Sequence, residues 1–173
     1  MHAATFGFFS FATALAMTGP LNKAAASISV GFAGSLLLTV ILAGIGFDMV
    51  GVAVASADEA VFHALASKKL RGAKKGVWLC RNRARVISFC NDFVGDVCGT
   101  IAGAIGTVLA MKVGGAKLVP VVVAGVASLN VAGKALAKGV AVSRPNDIVR
   151  FVGIVLDWVG DLGWGRKGDA RKA

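Results

Sequence analysis

Residues 27–57 read SISVGFAGSLLLTVILAGIGFDMVGVAVASA, a stretch with a single acidic residue, Asp48, and no basic residue. As an α-helix these 31 residues would extend about 46 Å. The hydrocarbon core of a bilayer is only about 30 Å thick. The stretch therefore predicts a membrane-spanning helix that tilts, bends or extends past the bilayer. Gly44, Gly46 and Gly51 surround Asp48 and offer positions for a bend.

The composition of the whole chain also indicates a membrane protein. Of its 173 residues, 56% are hydrophobic and 16% are charged, whereas soluble domains average roughly 45–50% and about 25%. The net charge of +10 would favour nucleic-acid binding in a soluble protein. Here the basic residues flank apolar runs, so we expect no nucleic-acid binding and interpret the charge as a topology signal.

Two further apolar runs, residues 86–111 and 118–137, are long enough to cross a bilayer. A shorter run over residues 3–19 predicts a fourth membrane helix. A cleaved signal peptide is the rival interpretation, but no basic residue precedes the run. The predicted fold class is therefore an all-α integral membrane protein with three to four transmembrane helices.

Two other segments are amphipathic. Residues 59–85 predict two short helices on the membrane surface, with Trp78 at the interface. Residues 147–162 predict another surface helix, with Ser143 as its N-cap and Pro145 in its first turn. These amphipathic juxtamembrane helices complete the predicted architecture.

The basic residues divide unevenly between the two sides of this arrangement. Residues 59–85 carry eight Lys and Arg, and residues 134–172 carry eight more. The opposite side carries only Lys23, Lys112 and Lys117. The positive-inside rule then puts the basic segment and the C-terminus in the cytoplasm, with the protein in a plasma or inner membrane. We expect this basic cytoplasmic face to attract anionic lipid.

Three carboxylates fall inside the predicted spans, namely Asp48, Asp92 and Asp96. An acid in a membrane bundle is costly, and it commonly marks an ion or proton site. Asp92 and Asp96 are four residues apart and would share a helix face. Two such carboxylates cannot both ionise cheaply unless a metal ion, a proton or a cation such as Lys134 compensates them.

Neutral oxygen ligands lie near these acids. Hard cations such as Mg²⁺ prefer several oxygen ligands, and Ser56, Asn91 and Asn130 could supply them. The candidate metal ligands are Ser56, Glu59, Asp92 and Asp96; Asp48 would lie on the pathway, with Ser88, Asn91 and Asn130 beside it. The alternative is that these polar groups only bond the helices to one another.

A resemblance to a known family starts from the SADEAVF stretch at residues 56–62, which is similar to the Ser-x-x-Glu-Thr-Ala-Leu stretch of the CNNM/CorC magnesium transporters. The later parts follow in comparable order: GAKKG at 72–76 in a basic surface segment and RVIS at 85–88 at a helix entry. GKALAK at 133–138 stands where the family has Gly-Glu-x-x-Pro-Lys. The likeness covers roughly residues 46–162 and lies in order and spacing more than in identities.

The resemblance implies a homodimer whose three-helix membrane domain carries juxtamembrane helices. On this basis, residues 25–163 form the CNNM/CorC-like domain. Residues 1–24 are an extra N-terminal membrane helix, and residues 164–173 are a basic cytoplasmic tail. The family's cation pocket would carry over to Ser56 and Glu59, and also to Ser88 and Asn91. Its regulatory nucleotide-binding (CBS) and C-terminal domains lie outside the resemblance.

The chain also departs from the family pattern. Lys134 stands at the position of the family's Glu, Ala137 at that of its Pro and Ala60 at that of its Thr. A lysine near the pocket would repel a divalent ion or occupy its place.

Two functional hypotheses follow. The first is a homodimeric membrane protein that binds or moves a small cation such as Mg²⁺ through a polar site within the membrane. The second is a non-transporting membrane scaffold or accessory protein whose buried acids are neutralised by Lys134. An enzyme is not expected, because the sequence shows no nucleophile–base pair, no metal triad and no glycine-rich phosphate loop.

Overall fold

A computed structural model describes residues 8, 11–13, 15–16 and 29–164, with side chains described as far as residue 159. Regular structure in these residues is helical, without a strand. The helices are α1 (Val30–Ser56), α2 (Glu59–Ser67), α3 (Ala73–Arg81), α4 (Arg83–Ile87), α5 (Asp96–Gly114), α6 (Val119–Ser143) and α7 (Pro145–Trp164). A π-helical segment, Ser88–Gly95, joins α4 to α5, and a 3-10 turn, Ala116–Leu118, precedes α6. The predicted all-α fold is confirmed.

The two ends of the chain lie largely outside this description. Six positions of the predicted N-terminal helix are described, and all six are helical. The prediction that residues 3–19 cross a membrane falls largely on residues outside the described set. The predicted basic tail likewise falls outside it, apart from residue 164.

Three helical stretches are long and apolar enough to cross a membrane: Val30–Ser56, Arg83–Gly114 and Ala116–Ser143. They correspond to the three central runs of the sequence, and each packs against the other two. Small residues permit the close approach: a Cβ at Gly133 of α6 would overlap the side chain of Ile45 in α1. The long helices thus form a three-helix bundle.

The helices α2, α3 and α7 cluster at one end of this bundle, against the ends of α1 and α6. Their apolar faces enclose a core, which confirms the predicted amphipathic pattern. Phe62 of α2 is fully buried there and lies against Gly76 of α3. The buried members of this core are Ala53, Val54, Ala57, Phe62, Leu79, Cys80, Ala141 and Val149.

The contact between α3 and α7 is a backbone-to-backbone approach. Gly72, which precedes α3, has a φ of +78°, a conformation that favours glycine. A Cβ at Gly153 of α7 would overlap the Gly72 carbonyl oxygen. The Gly72 N–H donates a hydrogen bond to Asp157 Oδ2 at 2.9 Å. Asp157 therefore fastens α7 to the residue that precedes α3.

The helix boundaries correct the prediction for Ser143. This residue ends α6, where its hydroxyl donates to the Val140 carbonyl at 2.9 Å, and it does not cap the next helix. Arg144 forms the break, and α7 begins at Pro145. The position of Pro145 in the first turn is as predicted, because proline has no N–H to lose there.

The second long helix is not regular. Within the π segment, the buried residues Cys90 and Gly95 are five positions apart, in keeping with the i→i+5 hydrogen bonding of a π-helix. A regular α-helix repeats its face every three to four residues. Asp92 within this segment and Asp96 directly after it are both exposed.

Candidate functional site

Asp48 of α1 is the one charged side chain found buried among the described residues, with 4% of its surface exposed. Lys134 Nζ lies 3.9 Å from Asp48 Oδ1, and Lys138 Nζ lies 3.8 Å from Asp48 Oδ2. Both lysines come from α6, four residues apart, so they face α1 from adjacent turns. We name these three residues the Asp48 cluster.

The charges of the Asp48 cluster do not cancel. One carboxylate faces two ammonium groups, which leaves one positive charge when all three are ionised. At about 4 Å and an effective dielectric constant near 20, each pair has a gross attraction on the order of 4 kcal/mol. The attraction between Asp48 and Lys138 is weaker than this, because water screens the Lys138 side chain, which is 52% exposed. The Lys134 side chain is only 21% exposed. Lys134 is therefore the main counter-ion of Asp48.

The long helices approach closely around this cluster. Lys134 Nζ lies 3.3 Å from the position that a Cβ at Gly95 would occupy. A Cβ at Gly51, one turn after Asp48, would overlap Asn91 Oδ1. Glycine at these two positions thus admits a lysine and an asparagine into the interior. Asp48, Lys134 and Asn91 bring polar groups from all three long helices together.

Two acceptor atoms in this region remain without hydrogen bonds. Asp48 Oδ2 and Asn91 Oδ1 are both buried and have no hydrogen-bond partner. The ammonium groups lie beyond the 2.7–3.2 Å of an ordinary N–H···O bond. The interaction of Asp48 with its lysines is therefore an ion pair at longer range. Asn130, also predicted near this site, is half-buried over Gly99.

The structure does not bring Asp92 and Asp96 to Asp48. Both carboxylates are exposed on the outer surface of the bundle, and neither has a hydrogen-bond or ion-pair partner among the described residues. Lys134, predicted as a possible partner of these two acids, lies beside Asp48. The four-residue spacing still keeps Asp92 and Asp96 within about one turn of each other, but the side of the helix that they occupy is exposed. Ser88 within that segment is half-buried.

Glu59 is held by two basic side chains of the protein itself, Arg81 and His63. Its Oε1 accepts a hydrogen bond from Arg81 Nε at 2.8 Å and lies 3.0 Å from His63 Nε2. The Arg81 guanidinium, and then His63, keep the pKa of this carboxyl below its ordinary value of 4.5. Ser56 is exposed at the end of α1. Glu59 therefore ties α2 to α3.

The rest of the SADEAVF stretch also has structural partners. Asp58 is the N-cap of α2 and accepts from the Ala60 N–H at 2.9 Å. The Asp58 N–H donates to Asn146 Oδ1 at 3.0 Å, and Arg83 Nη2 donates to the Ala57 carbonyl at 2.8 Å. The stretch thus forms the corner between α1 and α2 and fastens it to α4 and α7.

The predicted site residues do not form a magnesium site within one copy of the chain. Within the described residues, no three His, Cys, Asp or Glu side chains group closely enough to hold a metal. Of the predicted ligands, Glu59, Asp92 and Asp96 do not form such a group, and Ser56 is exposed at the end of α1. The one buried carboxylate, Asp48, faces two ammonium groups that would repel a divalent cation.

The Glu59 contacts predict a pH dependence. Because the folded-state pKa lies below the ordinary value, this carboxylate contributes stability above pH 4.5 that is lost as the pH falls through its folded-state pKa. We therefore expect the difference in unfolding free energy between wild type and Glu59→Gln to shrink on acidification below pH 4.5. Thermal unfolding of both proteins from neutral to acidic pH measures it. A difference that does not change with pH would show that the ion pair is inert.

Part of the Asp48 cluster had a signal in the sequence. Lys134 and Lys138 are spaced one turn apart in an apolar helix, as counter-ions of a buried acid would be. Lys138 was not predicted as a site residue. The hydrogen bond from Gly72 to Asp157 had no comparable signal, because the two residues are distant in sequence.

Comparison of the chain with family models, curated proteins and solved structures finds no match. The likeness to the CNNM/CorC membrane domain stays a prediction from the residues quoted above.

Proposed function

We propose that this chain is an integral membrane protein in which α1, the α4–α5 stretch and α6 cross the bilayer. The support is the apolar outer surface of the bundle, which would be costly in water. Its exposed side chains include Leu38, Leu42, Val121, Leu129, Val131 and Leu136. The backbone of a continuous helix satisfies its own hydrogen bonds in lipid. The basic end with α2, α3 and α7 is then cytoplasmic.

Within that membrane setting, we infer that the chain is a non-transporting scaffold or accessory protein. The observation that supports this most strongly is the Asp48 cluster. Lys134 supplies a covalently attached cation beside the buried carboxylate, at the position where the resemblance expects a glutamate. The ammonium group of Lys134 neutralises Asp48 as a bound cation would, and it cannot dissociate because it is part of the chain.

Purified protein in proteoliposomes tests this proposal. We expect Mg²⁺ uptake equal to that of protein-free vesicles. We also expect no rise in the unfolding temperature on adding Mg²⁺, because only a ligand that binds the folded state stabilises it. Saturable Mg²⁺ uptake by wild-type protein would refute the scaffold role.

Cation binding between two copies is a second candidate, which the positions of Asp92 and Asp96 favour. Both are exposed within a candidate span, and a carboxylate facing lipid costs roughly 2.5–3.5 kcal/mol. A second copy of the chain would cover them, and a cation could join the four carboxylates. This homodimer would show cation flux that is lost in Asp92→Asn/Asp96→Asn protein. Flux that persists in this variant excludes these acids as the site.

A further inference from the structure

An open apolar groove lies where the surface helices meet the bundle. Its volume is about 620 Å³, within the roughly 300–1,000 Å³ range of ligand-sized pockets. We name it the α7 groove. Its lining includes Phe47, Trp78, Arg85, Phe89 and Phe151, which come from α1, α3, α4, the π segment and α7. It thus lies between a candidate span and two interfacial helices.

The wall of the α7 groove is apolar and is left uncovered. Trp78 is 55% exposed, Phe89 is 49% exposed and Phe151 is 67% exposed. An apolar wall of this kind excludes water and is compatible with a hydrocarbon chain, so the groove suits an acyl chain. Its level, beside the interfacial Trp78 and α7, is where the acyl chains of a bilayer begin.

Arg85 gives this apolar groove one cationic group. The neighbouring arginines are engaged by the protein: Arg81 binds Glu59, and Arg83 donates to the Ala57 carbonyl. The guanidinium of Arg85 has no such partner among the described residues and is exposed. A guanidinium recognises a phosphate through two parallel hydrogen bonds. The groove therefore combines a hydrocarbon surface with a phosphate-binding group.

We propose that the α7 groove binds one anionic phospholipid, with an acyl chain against Phe47, Phe89 and Phe151 and its phosphate on Arg85. The positive charge of the surrounding segment, residues 59–85, favours an anionic headgroup over a zwitterionic one. The proposal rests on the membrane location proposed above. It does not depend on the scaffold role that we infer from the Asp48 cluster.

Quenching of Trp78 fluorescence by brominated acyl chains tests the site. The substitutions Trp158→Phe and Trp164→Phe leave Trp78 as the single tryptophan. This protein is reconstituted in phosphatidylcholine vesicles that contain increasing brominated phosphatidylglycerol. We expect quenching that saturates at a low fraction of the anionic lipid, whereas brominated phosphatidylcholine quenches only in proportion to its amount.

Arg85→Gln should raise the half-saturating fraction at least about tenfold, because it removes the charged hydrogen bonds to the phosphate. Arg85→Lys, which keeps the charge but not the paired geometry, should give an intermediate value. Lys68→Gln is the matched control, because it removes one charge from the same segment outside the groove. Equal losses in Arg85→Gln and Lys68→Gln would overturn the site in favour of diffuse attraction.

Two further outcomes would also overturn the proposal. Equal quenching by the two brominated lipids would mean that the groove does not select an anionic headgroup. A Trp78 that neither lipid quenches, in protein that cross-links as a dimer, would mean that a second copy covers the groove. Flotation with the vesicles after alkaline extraction separates these results from failure of the membrane location, because a protein that is not inserted does not float.

Discussion

Asp48→Asn is expected to destabilise the folded protein by about 3 kcal/mol, because removing one partner of a buried ion pair leaves the other charge uncompensated. The substitution leaves Lys134 and Lys138 close together without their anion. The value is at the lower end of the range for buried pairs, since Lys138 is half-exposed and can extend its ammonium group towards water. Reversible unfolding in detergent micelles or bicelles measures the change.

The two lysines provide matched controls for this prediction. Lys134→Met should cost about 2 kcal/mol, because it leaves Asp48 with only its more exposed counter-ion. Lys138→Met should cost less than about 1 kcal/mol, as exposed ion pairs usually do. An apolar replacement of all three residues should be close to neutral. Wild-type stability in Asp48→Asn protein would mean that the cluster contributes nothing to the fold.

Gly153→Ala is expected to cost about 3 kcal/mol, at the upper end of the range for an overpacked core. A Cβ at this position would overlap the backbone of Gly72, which cannot rotate away as a side chain could. The helix α7 would have to move off α3, which would also break the hydrogen bond from Gly72 to Asp157. The free energy of unfolding and the protease sensitivity of α7 report this loss.

Gly139→Ala is the matched control for Gly153→Ala. It makes the same change in α6, where a Cβ would meet nothing within 4 Å. Alanine favours a helix over glycine by up to about 1 kcal/mol, so this variant should be slightly more stable than wild type. If both variants shifted stability in the same direction by the same amount, the close contact between α3 and α7 would have no role.

Much of the helical architecture could be predicted because it depends on local composition. The run around Asp48 and the run over residues 86–111 are apolar over a length that is typical of a membrane-spanning helix. The break near Pro145 follows from the chemistry of proline. Ser143 was assigned wrongly, since a serine preceding a helix start can equally end the previous helix.

The candidate site was harder to predict because it depends on which residues face one another. The sequence identified Asp48 and Lys134 as intramembrane charges, but it did not pair them. The π segment has wider turns than an α-helix, and nothing in the sequence pattern around Asp92 indicates it. Glu59 illustrates a different limit, because Arg81 reaches it from another helix. Contacts between residues that are distant in sequence leave no periodic pattern from which they could be predicted.

A double-mutant cycle between Asp48 and Lys134 tests most directly whether this lysine is the resident counter-ion of the buried acid. Unfolding free energies are compared for Asp48→Asn, Lys134→Met and the double variant. We predict that the two changes are coupled by at least about 1 kcal/mol, as residues in contact are, whereas Asp48→Asn and the distant Lys68→Met are additive. Additivity of Asp48→Asn and Lys134→Met within about 0.5 kcal/mol would contradict the account.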